Sequence, residues 1–314
     1  MRSLRVLVLD PEARAIVDAL RARVSAEVSL EAVEEGASVP DGAGVTVCLG
    51  QPDLVAAAAD ALPDLEWVQS TWAGVQPLLP LLEERPALVA TAARGIFGDA
   101  IAEYVLGWLI AIDRRLLEYA DQQRQGVWAP LPDRGLAGRR VLLLGTGSIG
   151  ARVAERLATF DMEVVGVSRS GAQVRHVART WSPADRLVAA RNADVVVSTL
   201  PETPATRGVI DAALLGALAR GATLINVGRG SAVVQDALLD ALARRRLGAA
   251  VLDVFEQEPL PADHPYWNTP NLHVTPHIAA PTRTADIARL FAANLALWRA
   301  GRPLEGPVDP TRGY

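Results

Sequence analysis

The sequence predicts a parallel α/β protein built from two doubly wound sheets, one smaller and one larger. Three observations carry that prediction. Short β-branched runs alternate with Ala/Leu-rich helical stretches along most of the chain. The strand candidates are continuously apolar, as suits strands covered by helices on both faces. And 314 residues are too many for one ordinary core and about right for two.

Taken in order, the first part offers strands at 5–9, 45–49, 65–70 and 88–91, with helical patterns such as 12–23 and 53–61 between them. The second part offers strands at 141–145, 163–168, 195–200, 223–227, 250–254 and 272–275. A long helical run at 100–125 is expected to bridge the two parts. A final amphipathic segment, 283–300, is expected to return to the first. The expected division is a first domain of residues 1–93, a second of 94–281, and a C-terminal helix and tail, 282–314, that rejoins the first.

Bulk properties exclude several classes. Half of the residues are hydrophobic, 21% are charged, and the net charge is −5. No Lys/Arg run exceeds Arg244-Arg245-Arg246, which sits where a helix C-terminus favours cations. Nucleic acid and anionic membrane surfaces are therefore poor partners. Cys48 is the single cysteine, so no intrachain disulfide can form and a reducing, cytoplasmic setting is expected. The apolar run at the N-terminus is too short for a signal-peptide core and reads as a strand. The stretch 100–112 is interrupted by Glu103 and ends at Asp113, which suits a buried helix and not a membrane span. No residue pattern suggests a metal site.

Gly145-Thr-Gly147-Ser148-Ile149-Gly150 fits G-x-G-x-x-G. The pattern alone is weak, but here it follows one strand, opens a helix and precedes a second strand. Gly145 is expected to make the tight turn, Gly147 to let the backbone approach a pyrophosphate, and Gly150 to bring helix and strand together. The amides around Ser148 and Ile149 then face the phosphates. After the second strand stands Ser168-Arg169-Ser170, where an NAD site usually carries Asp or Glu. With no carboxylate to repel a 2′-phosphate, and an Arg fork able to pair with one, NADPH is the preferred cofactor and NADH a possible one.

Three polar residues stand at or just after strand ends, where open α/β sheets place ligands. Arg229 lies in Asn226-Val-Gly-Arg229-Gly, Glu258 in Asp253-Val-Phe-Glu-Gln-Glu258-Pro-Leu, and His277 in Thr275-Pro-His277. His277 can protonate a carbonyl oxygen as hydride arrives at carbon, and Arg229 can anchor a substrate carboxylate and polarise the carbonyl.

These ordered motifs resemble those of the D-isomer-specific 2-hydroxyacid dehydrogenases, over nearly the whole chain. The resemblance implies a Rossmann-type cofactor domain and a smaller flavodoxin-like substrate domain. It also implies hydride transfer to a 2-ketoacid and a homodimer formed through residues 100–133. Glu258 becomes the charge partner of His277, and Asp253 the partner of the nicotinamide carboxamide. Leu200, Pro201, Thr206, Val227 and Gly228 are implied to line the cofactor site. In the segment Ser70-Thr-Trp72-Ala73-Gly74-Val, backbone amides are expected to take the substrate carboxylate, with Trp72 over the substrate entrance. That segment, with Ser168-Arg169-Ser170, is most similar to the glyoxylate/hydroxypyruvate reductase branch. The competing readings are a family member acting on a larger 2-ketoacid and a non-catalytic dinucleotide-sensing protein on the same fold.

Overall fold

The computed structural model describes residues 4–34, 36, 39 and 42–313. Met1–Ser3, read as the lead into the first strand, lie outside the described residues. Residues up to Ile96 and from Thr282 onward form one compact unit, and Phe97–Pro281 form another.

In the first unit the elements run β1 (Leu4–Leu9), α1 (Ala13–Arg21), β2 (Val28–Val33), β3 (Val45–Gly50), α2 (Pro52–Ala57), β4 (Trp67–Ser70), α3 (Leu79–Glu84) and β5 (Val89–Thr91). The sheet is wholly parallel, in the order β2-β1-β3-β4-β5. That order is flavodoxin-like and reverses direction between β1 and β3. Its core joins Leu7, Leu9, Val45, Cys48, Val68 and Ala90 of the strands to Val55, Leu62, Leu78 and Leu82. The reversal brings Asp10 at the end of β1 beside the loop that follows β4.

The second unit begins with α4 (Gly98–Asp113) and α5 (Leu116–Gln125), then alternates β6 (Arg140–Leu144), α6 (Ser148–Ala158), β7 (Glu163–Val167), β8 (Arg179–Trp181), α7 (Arg186–Ala190), β9 (Val195–Ser198), α8 (Ala212–Ala217), β10 (Ala222–Asn226), α9 (Gln235–Ala243), β11 (Leu247–Leu252) and β12 (Leu272–Val274). Its parallel sheet has the order β12-β11-β10-β9-β6-β7-β8, a dinucleotide-binding order with one strand added. The direction reverses between β6 and β9. The last helix, α10 (Thr284–Arg299), belongs to the first unit. There Asn294 donates to Gln69 Oε1 at 2.8 Å, and Trp67 stacks between Phe291 and Trp298 at 5.3 and 5.5 Å.

The two-sheet α/β class expected from the sequence is the one the chain forms. The expected single helical run at 100–125 is not one helix. It breaks at Arg114 and Arg115, and Arg115, with φ +59°, makes a left-handed turn before α5. Strands β2 and β8 were not anticipated; both lie at sheet edges. Among the described residues, no helix is long and apolar enough to cross a membrane.

Candidate active site

The glycine turn between β6 and α6 sits at the reversal of the larger sheet, and each glycine has its own physical reason. Gly145 has φ +95°, and a Cβ there would lie 2.9 Å from Thr199 Oγ1 at the end of β9. A Cβ on Gly150 would lie 2.0 Å from the Gly145 carbonyl oxygen, so only glycine lets the helix rest on the turn. Gly147 differs: its backbone is extended (φ −69°, ψ −165°) and a Cβ would meet no atom within 4 Å. Neither strain nor internal packing calls for glycine at that position. What its missing side chain leaves is room above the start of α6. No side chain among the described residues caps that helix, which leaves its first amides for a ligand. A bare, open, partly positive helix start fits a pyrophosphate.

Beside it, Gly145 N–H donates to the Val167 carbonyl at 2.9 Å, which places Ser168-Arg169-Ser170 next to the turn. The Ser168 hydroxyl is buried with no partner among the described residues, while Arg169 and Ser170 are exposed. An orphaned hydroxyl flanked by a cation fits a phosphorylated ribose and offers nothing to repel it. On the other side, a Cβ on Gly228 would come within 2.6 Å of the Leu200 oxygen, so these two segments lie backbone to backbone. Val227 is buried beneath, and its N–H donates to Ser198. The Thr206 hydroxyl is consumed within its own loop, donating to Pro201 O at 2.7 Å and accepting from Thr203 N–H at 3.0 Å. It shapes the loop that presents Leu200 and Pro201.

The polar trio lies at the C-terminal ends of β10, β11 and β12. His277 Nδ1 and Glu258 Oε2 are 2.7 Å apart, and the other Glu258 oxygen accepts from Phe255 N–H at 2.8 Å. A carboxylate only accepts, so Nδ1 is the donor and Nε2 is the ring's outward position. No atom among the described residues bonds Nε2, and the ring is half exposed. His277 has φ +53°; a left-handed backbone costs a non-glycine residue about 1–2 kcal/mol. The turn is held by His277 N–H to Asp253 O at 2.9 Å and by Ile278 and Ala279 N–H to the Asp253 carboxylate, each at 2.9 Å.

Arg229 donates to Gly228 O at 2.7 Å and makes no ion pair among the described residues. Burial pushes its guanidinium below the usual arginine value, opposed by the nearby charges of Glu202 and Glu258. Glu258 therefore lies within electrostatic reach of both other members of the trio. A half-buried cation that no carboxylate contacts directly suits an incoming anion. Asn226, quoted in the sequence motif without a role, positions it. Its Oδ1 accepts from Gly228 N–H at 3.2 Å, and its Nδ2 donates to the Arg229 carbonyl at 2.9 Å.

In the first unit, the loop after β4 is pinned by its own residues. Thr71 donates to Asp10 Oδ2 at 3.0 Å, and Ser70 Oγ accepts from the Trp72 N–H at 2.9 Å. Burial raises the Asp10 carboxyl above the ordinary aspartate value, against the bonds from Glu12 and Thr71. The Trp72 amide is thus occupied. The amides of Ala73 and Gly74 bond nothing among the described residues. Asp10 escaped sequence reasoning because its partner is 61 residues away. His273 stacks on Trp108 at 5.0 Å, and His264 accepts from Tyr266 N–H, both structural roles.

A helix start shaped for a pyrophosphate, in the same unit as a His–Glu pair and an arginine free of a direct ion pair among the described residues, defines the class as nicotinamide-dependent oxidoreductases. Comparison with known proteins narrows it. The sequence profile described as D-isomer specific 2-hydroxyacid dehydrogenase, NAD binding domain, matches residues 106–279. Glyoxylate/hydroxypyruvate reductase A of Serratia proteamaculans is 35% identical over 259 residues, 80% of this chain and 82% of that protein. The crystal structure of a D-isomer specific 2-hydroxyacid dehydrogenase family protein from Aeromonas salmonicida superposes with a TM-score of 0.91 at 37% identity, covering 98% of this chain and 99% of that one. An NADPH-dependent glyoxylate/hydroxypyruvate reductase from Sinorhizobium meliloti, solved with NADP and sulfate, gives a TM-score of 0.87 at 29% identity, covering 99% and 100%. The chain belongs to the D-isomer specific 2-hydroxyacid dehydrogenase family.

Proposed function

We propose that this protein reduces a short 2-ketoacid, of the glyoxylate or hydroxypyruvate kind, to the D-2-hydroxyacid, with NADPH preferred and NADH possible as cofactor. The observation that carries the reading is the His277–Glu258 pair at 2.7 Å, within electrostatic reach of an Arg229 that makes no direct ion pair among the described residues. When bound, the reduced nicotinamide supplies the hydride to the carbonyl carbon. His277 delivers the balancing proton from Nε2 to the carbonyl oxygen, and Glu258 stabilises the imidazolium through Nδ1. Arg229 polarises the carbonyl and holds the developing charge on oxygen. The unoccupied amides of Ala73 and Gly74 support their expected role toward the substrate carboxylate, with Trp72 setting the size of side chain accepted.

The cofactor preference is supported by the orphaned Ser168 hydroxyl beside Arg169 and by the NADP bound in the Sinorhizobium meliloti relative. The reading includes a homodimer. It is supported by α5, which has no buried residue and, with the segment after it, exposes Leu116, Leu117, Tyr119, Val127 and Trp128. It also assigns the protein to the cytoplasm, in keeping with a lone, buried cysteine.

The test is loss of NADPH absorbance with glyoxylate, hydroxypyruvate, phenylpyruvate and 2-oxoisovalerate, repeated with NADH. Turnover is expected with the short ketoacids and NADPH. His277→Ala is expected to lower kcat by roughly 10²–10⁴ with NADPH binding retained. Tight NADPH binding without turnover of any ketoacid would sink the reading in favour of a dinucleotide sensor. Turnover of phenylpyruvate or 2-oxoisovalerate alone would move the substrate to the larger class.

A further inference from the structure

The structure assigns Tyr104 and Thr275 as positioning residues that hold the His277 turn through the Asp253 carboxylate, an inference that rests on His277 being the proton donor. Three side chains from three segments of the second unit form a single chain of hydrogen bonds. Tyr104 on α4 meets Thr275 Oγ1 at 2.6 Å, and Thr275 Oγ1 meets Asp253 Oδ1 at 2.6 Å. Both contacts are at the short end for O–H···O bonds.

The direction of the chain follows from its proton count. A carboxylate has no proton to give, so the single Thr275 hydroxyl proton goes to Asp253. Thr275 Oγ1 can then only accept from Tyr104, whose O–H is the donor. Burial pushes the Tyr104 phenol up to about 12, so it keeps that proton through the neutral range. Successive donors polarise one another toward the carboxylate.

Asp253 is itself buried, at 1% exposure, and its oxygens take three bonds from the chain: Thr275 O–H and Ile278 N–H on Oδ1, and Ala279 N–H on Oδ2. Those two amides are the ones that immediately follow His277. The same residue's carbonyl accepts from the His277 N–H. The left-handed turn that carries the imidazole is thus fastened at three successive amides to one aspartate. Two hydroxyls in turn fix that aspartate's rotamer. The carboxamide-binding role implied for Asp253 accounts for none of these bonds. A side chain on α4 thereby helps set where Nε2 points.

Thr275→Val removes the hydroxyl and keeps the shape, Thr275→Ser keeps the hydroxyl, and Tyr104→Phe removes one oxygen. The first readout needs no turnover: amide hydrogen exchange of peptides covering His277–Ala279, in the cofactor-free protein. Thr275→Val is expected to speed exchange there by about tenfold or more, Tyr104→Phe by less, and Thr275→Ser to stay within about twofold of the parent. The second readout is kinetic. Thr275→Val is expected to lower kcat by about tenfold or more, with NADPH affinity held within about twofold and serine restoring the rate. Native exchange and native kcat in Thr275→Val overturn the inference. So does a Thr275→Ser protein as impaired as Thr275→Val, since packing of the methyl group would then be the cause. If Thr275→Val does not fold, Tyr104→Phe decides alone, and native exchange with native kcat in that variant overturns the inference. An unmodified protein that turns over no ketoacid would remove the proposed function, while the exchange data would still decide whether the hydrogen-bond chain holds the turn.

Discussion

At Ser168 a buried hydroxyl without a partner among the described residues stands at the end of β7, one residue before an exposed arginine. A carboxylate at this position would bond both ribose hydroxyls of NAD and repel a 2′-phosphate, so one side chain carries much of the cofactor choice. Ser168→Asp is expected to shift the ratio of kcat/KM for NADPH over NADH toward NADH by at least about tenfold, or about 1.4 kcal/mol. Steady-state rates with both cofactors measure it, and a preference for NADH in the unmodified protein would contradict the argument. The residues that announced themselves in the sequence were those with an odd chemistry for their place. Arg229, Glu258 and His277 are polar groups closing apolar strands. The residues that hold them gave no such signal. Tyr104 lies 171 positions from Thr275, and Thr275 lies 22 from Asp253, so only the folded sheet brings them together. Thr206, expected to line the cofactor site, bonds Pro201 and Thr203 within its own loop.

At the scale of elements, the turn between β6 and α6 separates two uses of glycine that the motif alone merges. Gly150 is required by packing, because a Cβ would lie 2.0 Å from a backbone oxygen; Gly147 meets nothing within 4 Å and is required, on our reading, only by a ligand. Gly150→Ala is therefore expected to cost about 2–3 kcal/mol or more in unfolding free energy, as forced overpacking does. Gly147→Ala should leave the unfolding midpoint unchanged and weaken NADPH binding at least about tenfold, measured by quenching of protein fluorescence. Equal loss of stability in both variants would argue against a pyrophosphate above Gly147. Central strands were legible because burial on both faces leaves a continuous apolar run, as in Val141-Leu-Leu-Leu144. The edge strands β2 and β8 were not. Val28-Ser-Leu-Glu-Ala-Val33 mixes exposed and buried positions, and Arg179-Thr-Trp181 is three residues long. The break at Arg115 escaped notice because helical propensity continues through Arg114 and Arg115, with no Gly or Pro to mark it.

For the molecule as a whole, the hydropathy pattern conveys two sheets but not what covers the chain's apolar exterior. The helix α5 has no fully buried residue, and Trp128 after it is 97% exposed. A tryptophan, two leucines, a tyrosine and a valine partly or wholly in solvent over one short stretch leave apolar area that covering would stabilise. A second copy is the occupant the family resemblance implies, and an isologous pairing buries the same patch twice. A stable pair buries about 1,600 Å² in total, about 800 Å² from each partner. Light scattering at micromolar concentration is expected to give twice the 33.3 kDa chain mass. Leu116→Glu combined with Trp128→Glu is expected to give the single-chain mass. Neither side chain is buried within its own unit, so the far-ultraviolet circular dichroism should stay that of the parent. A parent protein that runs as a single chain, or a double variant that stays paired, would move the interface away from this arm.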